Sequence, residues 1–267
     1  MPIVTELNIY PIKSTRGIAL SEAVVEPRGL RWDRRWMLVD NEGLFITARK
    51  WPRLAMVATH LQNDQLLIEA PGRDPLSISL IDDRSSDREV TIWRDRCPVH
   101  EVSAAANDWF SAWLGTECRL VRLSDQDIRP VDPGYAQPGD QVSLADGYPL
   151  LVIGEASLID LNRRLDEPVE MRRFRPNLVI GTGEPFIEDQ WRRIQVGDLE
   201  LELVKGCSRC VFTTVDPDKG EKHPRQEPLR TLGTYRRKDD SGVFFGQNGV
   251  PRSLGTLHVG DEVEILE

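Results

Sequence analysis

Cysteine is scarce in this chain, with four residues in 267. That number does not make a disulfide framework in a protein of this length, and it points to a reducing, cytoplasmic compartment. Long apolar runs are missing too. No stretch approaches the ~20 residues that cross a bilayer. The opening residues, Met1-Pro2-Ile3-Val4-Thr5-Glu6-Leu7, have no basic segment ahead of an apolar one, which excludes a typical secretory leader. The expected setting therefore has no membrane. Positive charge is in deficit: 34 Lys and Arg stand against 43 Asp and Glu, a net charge of −9. A chain this acidic is a poor general binder of nucleic acid.

What is present is a folded composition, 40% hydrophobic and 29% charged. It suits one large domain or two small ones, with apolar content for a sizeable core. Residues 2–102 read as almost wholly β. Apolar runs fall at Val4–Tyr10, Trp36–Val39, Leu44–Thr47, Met56–Leu61, Gln65–Glu69, Leu76–Leu80 and Val90–Trp93. Gly, Pro, Asn and Asp punctuate them, and such spacing predicts a barrel or sandwich. Asn41-Glu42-Gly43 and Asn63-Asp64 have the composition of hairpin turns. A helix is predicted over Ser103–Leu114, capped by Ser103, with Ala106, Trp109, Phe110, Trp113 and Leu114 as a core-facing stripe.

Residues 124–147 are polar and rich in Asp, Pro and Gly. A loop of this length is functional or a linker. It sets the expected domains at 1–123 and 124–267. The second half reads as strands at Tyr148–Ile153, Asn177–Ile180, Trp191–Val204, Val243–Phe245, Thr256–Val259 and Glu262–Leu266. Helices are expected at Glu155–Leu165 and near Pro228–Tyr235. The fold class is thus mainly β with a few helices (α+β): an N-terminal β-barrel-like domain followed by a second β-barrel.

The chemistry concentrates at Lys205–Gly220. Cys207 and Cys210 flank Ser208-Arg209, then a β-branched run, Val211-Phe212-Thr213-Thr214-Val215, leads to the turn Asp216-Pro217-Asp218-Lys219-Gly220. The run predicts a strand that starts beside Cys210. Taken alone, the Cys-x-x-Cys pair has three readings. It is half a zinc site lacking its other ligands, a thioredoxin-type motif lacking its helix, or two buried cysteines filling space. Three further stretches suit an anionic ligand. Tyr10-Pro11-Ile12-Lys13-Ser14 offers a Lys and a hydroxyl, Asp33-Arg34-Arg35-Trp36 two guanidiniums, and Gly154-Glu155-Ala156-Ser157 the free N–H groups of a helix start. Arg172-Arg173-Phe174-Arg175-Pro176-Asn177 adds donors. Each could equally be a salt bridge or a cap. Together with a metal-competent thiol they suggest a cofactor with phosphate at one end and metal at the other.

Nearly the whole chain resembles proteins that join a MOSC domain to an N-terminal β-barrel, in the branch of YcbX-like proteins and the mitochondrial amidoxime-reducing component. The resemblance lies in Tyr10–Ser14, Gly29–Trp36, Thr47–Arg49, Pro52–Leu54, Glu155–Asn162, Phe174–Asn177, Cys207–Asp218, Glu227–Leu232 and Phe245–Asn248. It implies that the second barrel, 124–267, is a MOSC domain. It also implies a molybdenum pterin cofactor, with no call on pyridoxal phosphate. Cys210 would ligate molybdenum, with Cys207 its neighbour. Lys13, Ser14, Arg34, Ser157, Arg175 and Asn177 would hold the pterin and its phosphate. Asp216 is expected beside the metal as a candidate catalytic acid.

The implied reaction reduces N-hydroxylated small molecules, such as hydroxylamino-purines and amidoximes, to amines or amidines plus water. No plant-type Cys-x4-Cys-x2-Cys run is present, so a separate electron donor, a flavin reductase or a ferredoxin-type protein, is expected. The alternative is a carrier, in which Cys210 holds sulfur as a persulfide or the domain ferries the finished cofactor. The site is expected in the cleft between the two β domains.

Overall fold

A computed structural model describes residues 1–82, 87–238 and 242–267. The fold is mostly strand, with three α-helices among the described residues. Its centre is an eight-stranded sheet in the order Ile18–Leu20, Ile3–Ile9, Leu178–Gly181, Leu150–Gly154, Val243–Pro251, Leu199–Arg209, Arg193–Val196, Val263–Ile265. Leu150–Gly154 is buried throughout. Leu150 and Val152 face one apolar cluster, and Leu151 and Ile153 face another. A strand covered on both sides needs apolar residues at every position, which is why Leu150-Leu151-Val152-Ile153 does not alternate. It runs parallel to Leu178–Gly181, and the helix Glu155–Asn162 lies in the crossover that such a pair requires.

The amino-terminal strand belongs to this sheet. Leu7 pairs with Leu178, and Val4, Leu7 and Ile9 pack with Ile194, Leu201 and Val263. Glu22–Glu26 pairs with Gly255–His258. Ile3–Ile9, Ile18–Leu20 and Glu22–Glu26 are therefore built into the second half, while Ile12 between them packs with Trp36, Leu38 and Leu54 of the first half.

Gly29–Leu30 extends the Glu22–Glu26 pair, and Val215–Asp216 pairs with Glu221–Lys222. The other strands form a five-stranded sheet, Asp87–Ile92, Asp95–Glu101, Arg119–Arg122, Trp36–Val39, Phe45–Ile46, and a three-stranded meander, Ala58–Gln62, Gln65–Glu69, Leu76–Ser79. Both expected hairpins form, Trp36–Val39 with Phe45–Ile46 and Ala58–Gln62 with Gln65–Glu69. The helix Ala104–Leu114 starts at Ser103, whose side chain accepts from the Ala106 amide, and ends at Gly115 in the left-handed region. Trp109, Phe110 and Trp113 pack with Leu38, Leu54 and Leu66.

One local expectation is corrected. The strand predicted over Val211–Val215 is instead a 3-10 turn, Val211–Thr214. The Thr213 hydroxyl donates to the Cys210 carbonyl, and that of Thr214 to the Val211 carbonyl. Back-bonding of this kind closes a turn and outweighs the β preference of the branched side chains. Cys210 thus follows the end of an 11-residue strand, Leu199–Arg209, rather than opening a new one. No helix among the described residues is long and apolar enough to cross a membrane.

Candidate functional site

Cys210 lies in the wall of a cavity of roughly 350 Å³ between the two halves. Of the residues singled out in the sequence, Lys13, Ser14, Arg34, Arg175, Asn177 and Cys210 line it. Three segments distant in sequence converge: the chain after Ile3–Ile9, the approach to Leu178–Gly181, and the end of Leu199–Arg209. The convergence follows from the sheet, where these strands are neighbours or near neighbours.

The backbone marks the same place. Among the described residues, eight non-glycine residues adopt left-handed backbone, and four of them, Ser14, Arg34, Trp93 and Arg175, line this cavity. Such geometry costs ~1–2 kcal/mol per residue. It concentrates where a side chain must be aimed at a ligand.

The electrostatics oppose the net charge of the chain. Lys13, Arg34, Arg49, Arg173, Arg175 and Arg209 line the cavity, and Asp146 is the one carboxylate among its described lining residues. Lys13 is buried, and its Nζ donates to the Leu144 carbonyl at 2.8 Å and to Asp146 Oδ1 at 2.6 Å. Burial pulls its ammonium down to about 8, and Asp146 only partly restores it. Desolvation would push the Asp146 carboxyl up. Lys13 and Arg49 overcome that and hold it well below the usual carboxylate range.

Arg34 and Arg175 both stack on the Tyr10 ring, 4.3 and 4.0 Å from its centroid. Arg34 pairs with Asp33. Arg175 forms no salt bridge among the described residues and donates to the Thr15 carbonyl. Desolvation and the nearby Arg34 lower its pKa. Ser14 is 2% exposed, and its hydroxyl has no hydrogen-bond partner among the described residues. Asn177 is spent on the scaffold: its Oδ1 accepts from the Leu151 amide and Arg34 Nη1, and its Nδ2 donates to the Asn8 carbonyl. It positions Arg34.

The two cysteines are both free and differently held. Arg49 Nε donates to Cys210 Sγ at 3.2 Å, while Arg209 Nη1 donates to Cys207 Sγ at 2.8 Å. No group of three or more His, Cys, Asp or Glu suited to a metal occurs among the described residues, so Cys207 and Cys210 gain no further zinc ligands.

Two expected site residues are placed elsewhere. Ser157 is fully buried outside the cavity; its hydroxyl donates to Glu188 Oε1 at 2.8 Å and accepts from the Phe186 amide at 2.7 Å. Glu188 also accepts from the Gly154 amide at 3.1 Å. The acidic group facing the helix start is thus the chain's own Glu188, whose carboxyl is pushed up by burial. Asp216 does not line the cavity either. Its Oδ1 accepts from the amides of Asp218 and Lys219, and its Oδ2 pairs with Arg173 at 3.1 Å. It ties the 216–220 turn to Arg173.

Sequence reasoning missed Arg49 and Asp146 as site residues. Both had a signal: Arg49 lies in Thr47-Ala48-Arg49, and Asp146 in the long loop read as functional.

The fold and site together define a MOSC-domain protein with an N-terminal β-barrel. The MOSC N-terminal beta barrel domain matches residues 1–117, and the MOSC domain matches residues 139–264. Within that class the chain belongs to the family of the mitochondrial amidoxime-reducing components. It is 36% identical to human mitochondrial amidoxime-reducing component 1, over 98% of this chain and 82% of that protein. The rat mitochondrial amidoxime reducing component 2 is 37% identical, over 97% of this chain and 82% of that protein. A rice molybdenum cofactor sulfurase is 34% identical over 89% of this chain, which matches 31% of the sulfurase.

Proposed function

We propose that this protein is a molybdenum-cofactor-dependent reductase of N-hydroxylated compounds. The observation that carries the reading is the joint placement of a thiol and six cationic side chains in one cavity of an acidic protein. The donor set suits the group. Arg175 and the Ser14 hydroxyl, neither with a side-chain hydrogen-bond partner among the described residues, are placed to receive an anionic phosphate. Cys210 offers a soft ligand to the metal. Asp146, Lys13 and Arg49 would fix the wall between those two ends.

When bound, the cofactor supplies the two-electron chemistry, and the protein supplies orientation and electrostatics. The overall reaction is R–NHOH + 2 H⁺ + 2 e⁻ → R–NH₂ + H₂O, in which the N–O bond breaks and nitrogen is reduced. A separate flavin- or ferredoxin-type donor supplies the electrons. Arg49 holds the Cys210 sulfur in place from one side, and the 3-10 turn that follows fixes its backbone. Arg173 anchors the loop below. The named activity of the mitochondrial relatives, amidoxime reduction, agrees with this reading, and the cytoplasm is its proposed compartment.

The likeness to a molybdenum cofactor sulfurase favours a second reading, in which Cys210 carries sulfur or delivers the cofactor. Reduction of a hydroxylamino-purine or an amidoxime with a reduced flavin or ferredoxin donor separates the two. The reductase reading expects turnover that Cys210→Ala abolishes and Cys207→Ala only weakens. A molybdenum-loaded protein inert with every donor would leave the carrier reading.

A further inference from the structure

Trp93 stands where turn chemistry does not call for it. The strands Asp87–Ile92 and Asp95–Glu101 pair as far as Ile92 with Asp95, so their loop is the two residues Trp93 and Arg94. The first of these has φ of +57°. A left-handed residue opening a two-residue hairpin loop favours glycine, and for a bulky side chain it is an outlier. Nor does the ring repay the strain by burial. Among the seven tryptophans it is the one that is exposed, at 55%.

The ring is nonetheless held. Phe45 meets it edge-on with centroids 5.2 Å apart. The Arg49 guanidinium lies 5.0 Å from its centroid. That same guanidinium donates to Cys210 Sγ, so a single side chain separates the indole from the sulfur. The free part of the ring forms part of the cavity wall. The result is a fixed flat surface at the mouth of the cavity, carried by the amino-terminal half, while the sulfur is carried by the carboxy-terminal half.

We propose that Trp93 is the platform on which the planar part of the substrate stacks, so that the amino-terminal domain selects aromatic or conjugated N-hydroxylated compounds. The proposal rests on the reductase reading and names the substrate class for it. Stacking on an aromatic ring needs no hydrogen-bond pattern, only a π-face, and so accepts purines and aryl amidoximes alike. A ring whose position is set by Phe45 and Arg49 loses little freedom when a ligand lands on it.

The test uses the molybdenum-loaded protein and two substrates with the same reacting group, 6-N-hydroxylaminopurine and hydroxylamine itself. Trp93→Gly suits the left-handed turn and removes the platform without endangering the hairpin. It should raise KM for the purine about tenfold, equivalent to about 1.4 kcal/mol. Its kcat/KM for hydroxylamine should fall by a clearly smaller factor than that for the purine, and Trp93→Phe should restore most of the lost affinity. Equal loss for both substrates, or loss for neither, overturns the proposal. A second readout does not depend on turnover. In protein labelled with 5-fluorotryptophan, the resonance missing from Trp93→Phe is that of Trp93, and adenine should shift it. If neither substrate turns over, the reductase reading fails, and this resonance still decides the platform: a shift with adenine supports it and no shift overturns it.

Discussion

Ser157→Ala separates scaffold from site. The Ser157 hydroxyl donates into the buried Glu188 carboxylate, 2.8 and 2.9 Å from its two oxygens, and accepts the Phe186 amide. Burial pushes the Glu188 carboxyl up, so the bond contributes as an ordinary one, about 0.5–1.5 kcal/mol, and a buried amide left without a partner costs about 1–3 kcal/mol. The loss should be about 3 kcal/mol, since no large void replaces the hydroxyl. At roughly 2–4 °C per kcal/mol for a chain approaching this size, Tm should fall by roughly 6–12 °C. The assay is a thermal melt paired with molybdenum analysis of the same preparation. Lower Tm with unchanged molybdenum content is the expected result. Unchanged Tm with lost molybdenum would place Ser157 at the cofactor and refute the reasoning.

Asp146→Asn should cost about 1–2 kcal/mol, discounted because the carboxylate is half-exposed. The change leaves the buried Lys13 ammonium without its counter-ion. That penalty exists only while Lys13 is charged, and without Asp146 its pKa falls further, so the deficit should shrink as pH rises towards about 8 and be lost above it, which urea titrations at two pH values would read. Cofactor retention should follow the opposite sign. Lys13 is cationic below about 8 and neutral above it, so anion binding weakens as pH rises, and gel filtration near neutral and near pH ~9 followed by metal analysis checks this.

Much of the fold was legible because it is local. Trp36–Val39 and Gln65–Glu69 have the bounds that the sequence pattern predicts, and Ser103 announces its helix by chemistry that needs no tertiary partner. The Thr213 and Thr214 hydroxyls were misread because branched side chains favour strands in general, while their oxygens close a turn here. The pairing of Leu7 with Leu178 had no local signal at all. It places the first strand in the second half's sheet.

At the site, residue type revealed the cations but not their partners. Arg175 and Arg34 were found as guanidiniums near a strand end, and both line the cavity. Gly154–Ser157 had the right form for an anion site, but the Glu188 carboxyl, more than thirty residues along, accepts its hydrogen bonds. Asp146 was hidden in a loop whose composition says only that it is a loop. Its role depends on Lys13 and Arg49 arriving from the other half.

The central claim, that Cys210 and the surrounding cations hold a molybdenum pterin, is tested most directly by metal and pterin content. The full chain is produced in a host that makes the cofactor, together with Cys210→Ala and Cys207→Ala. The account predicts stoichiometric molybdenum and pterin in the parent protein, a steep loss of molybdenum in Cys210→Ala, and little loss in Cys207→Ala. A parent protein without molybdenum, or a Cys210→Ala variant that retains both metal and activity, would contradict it.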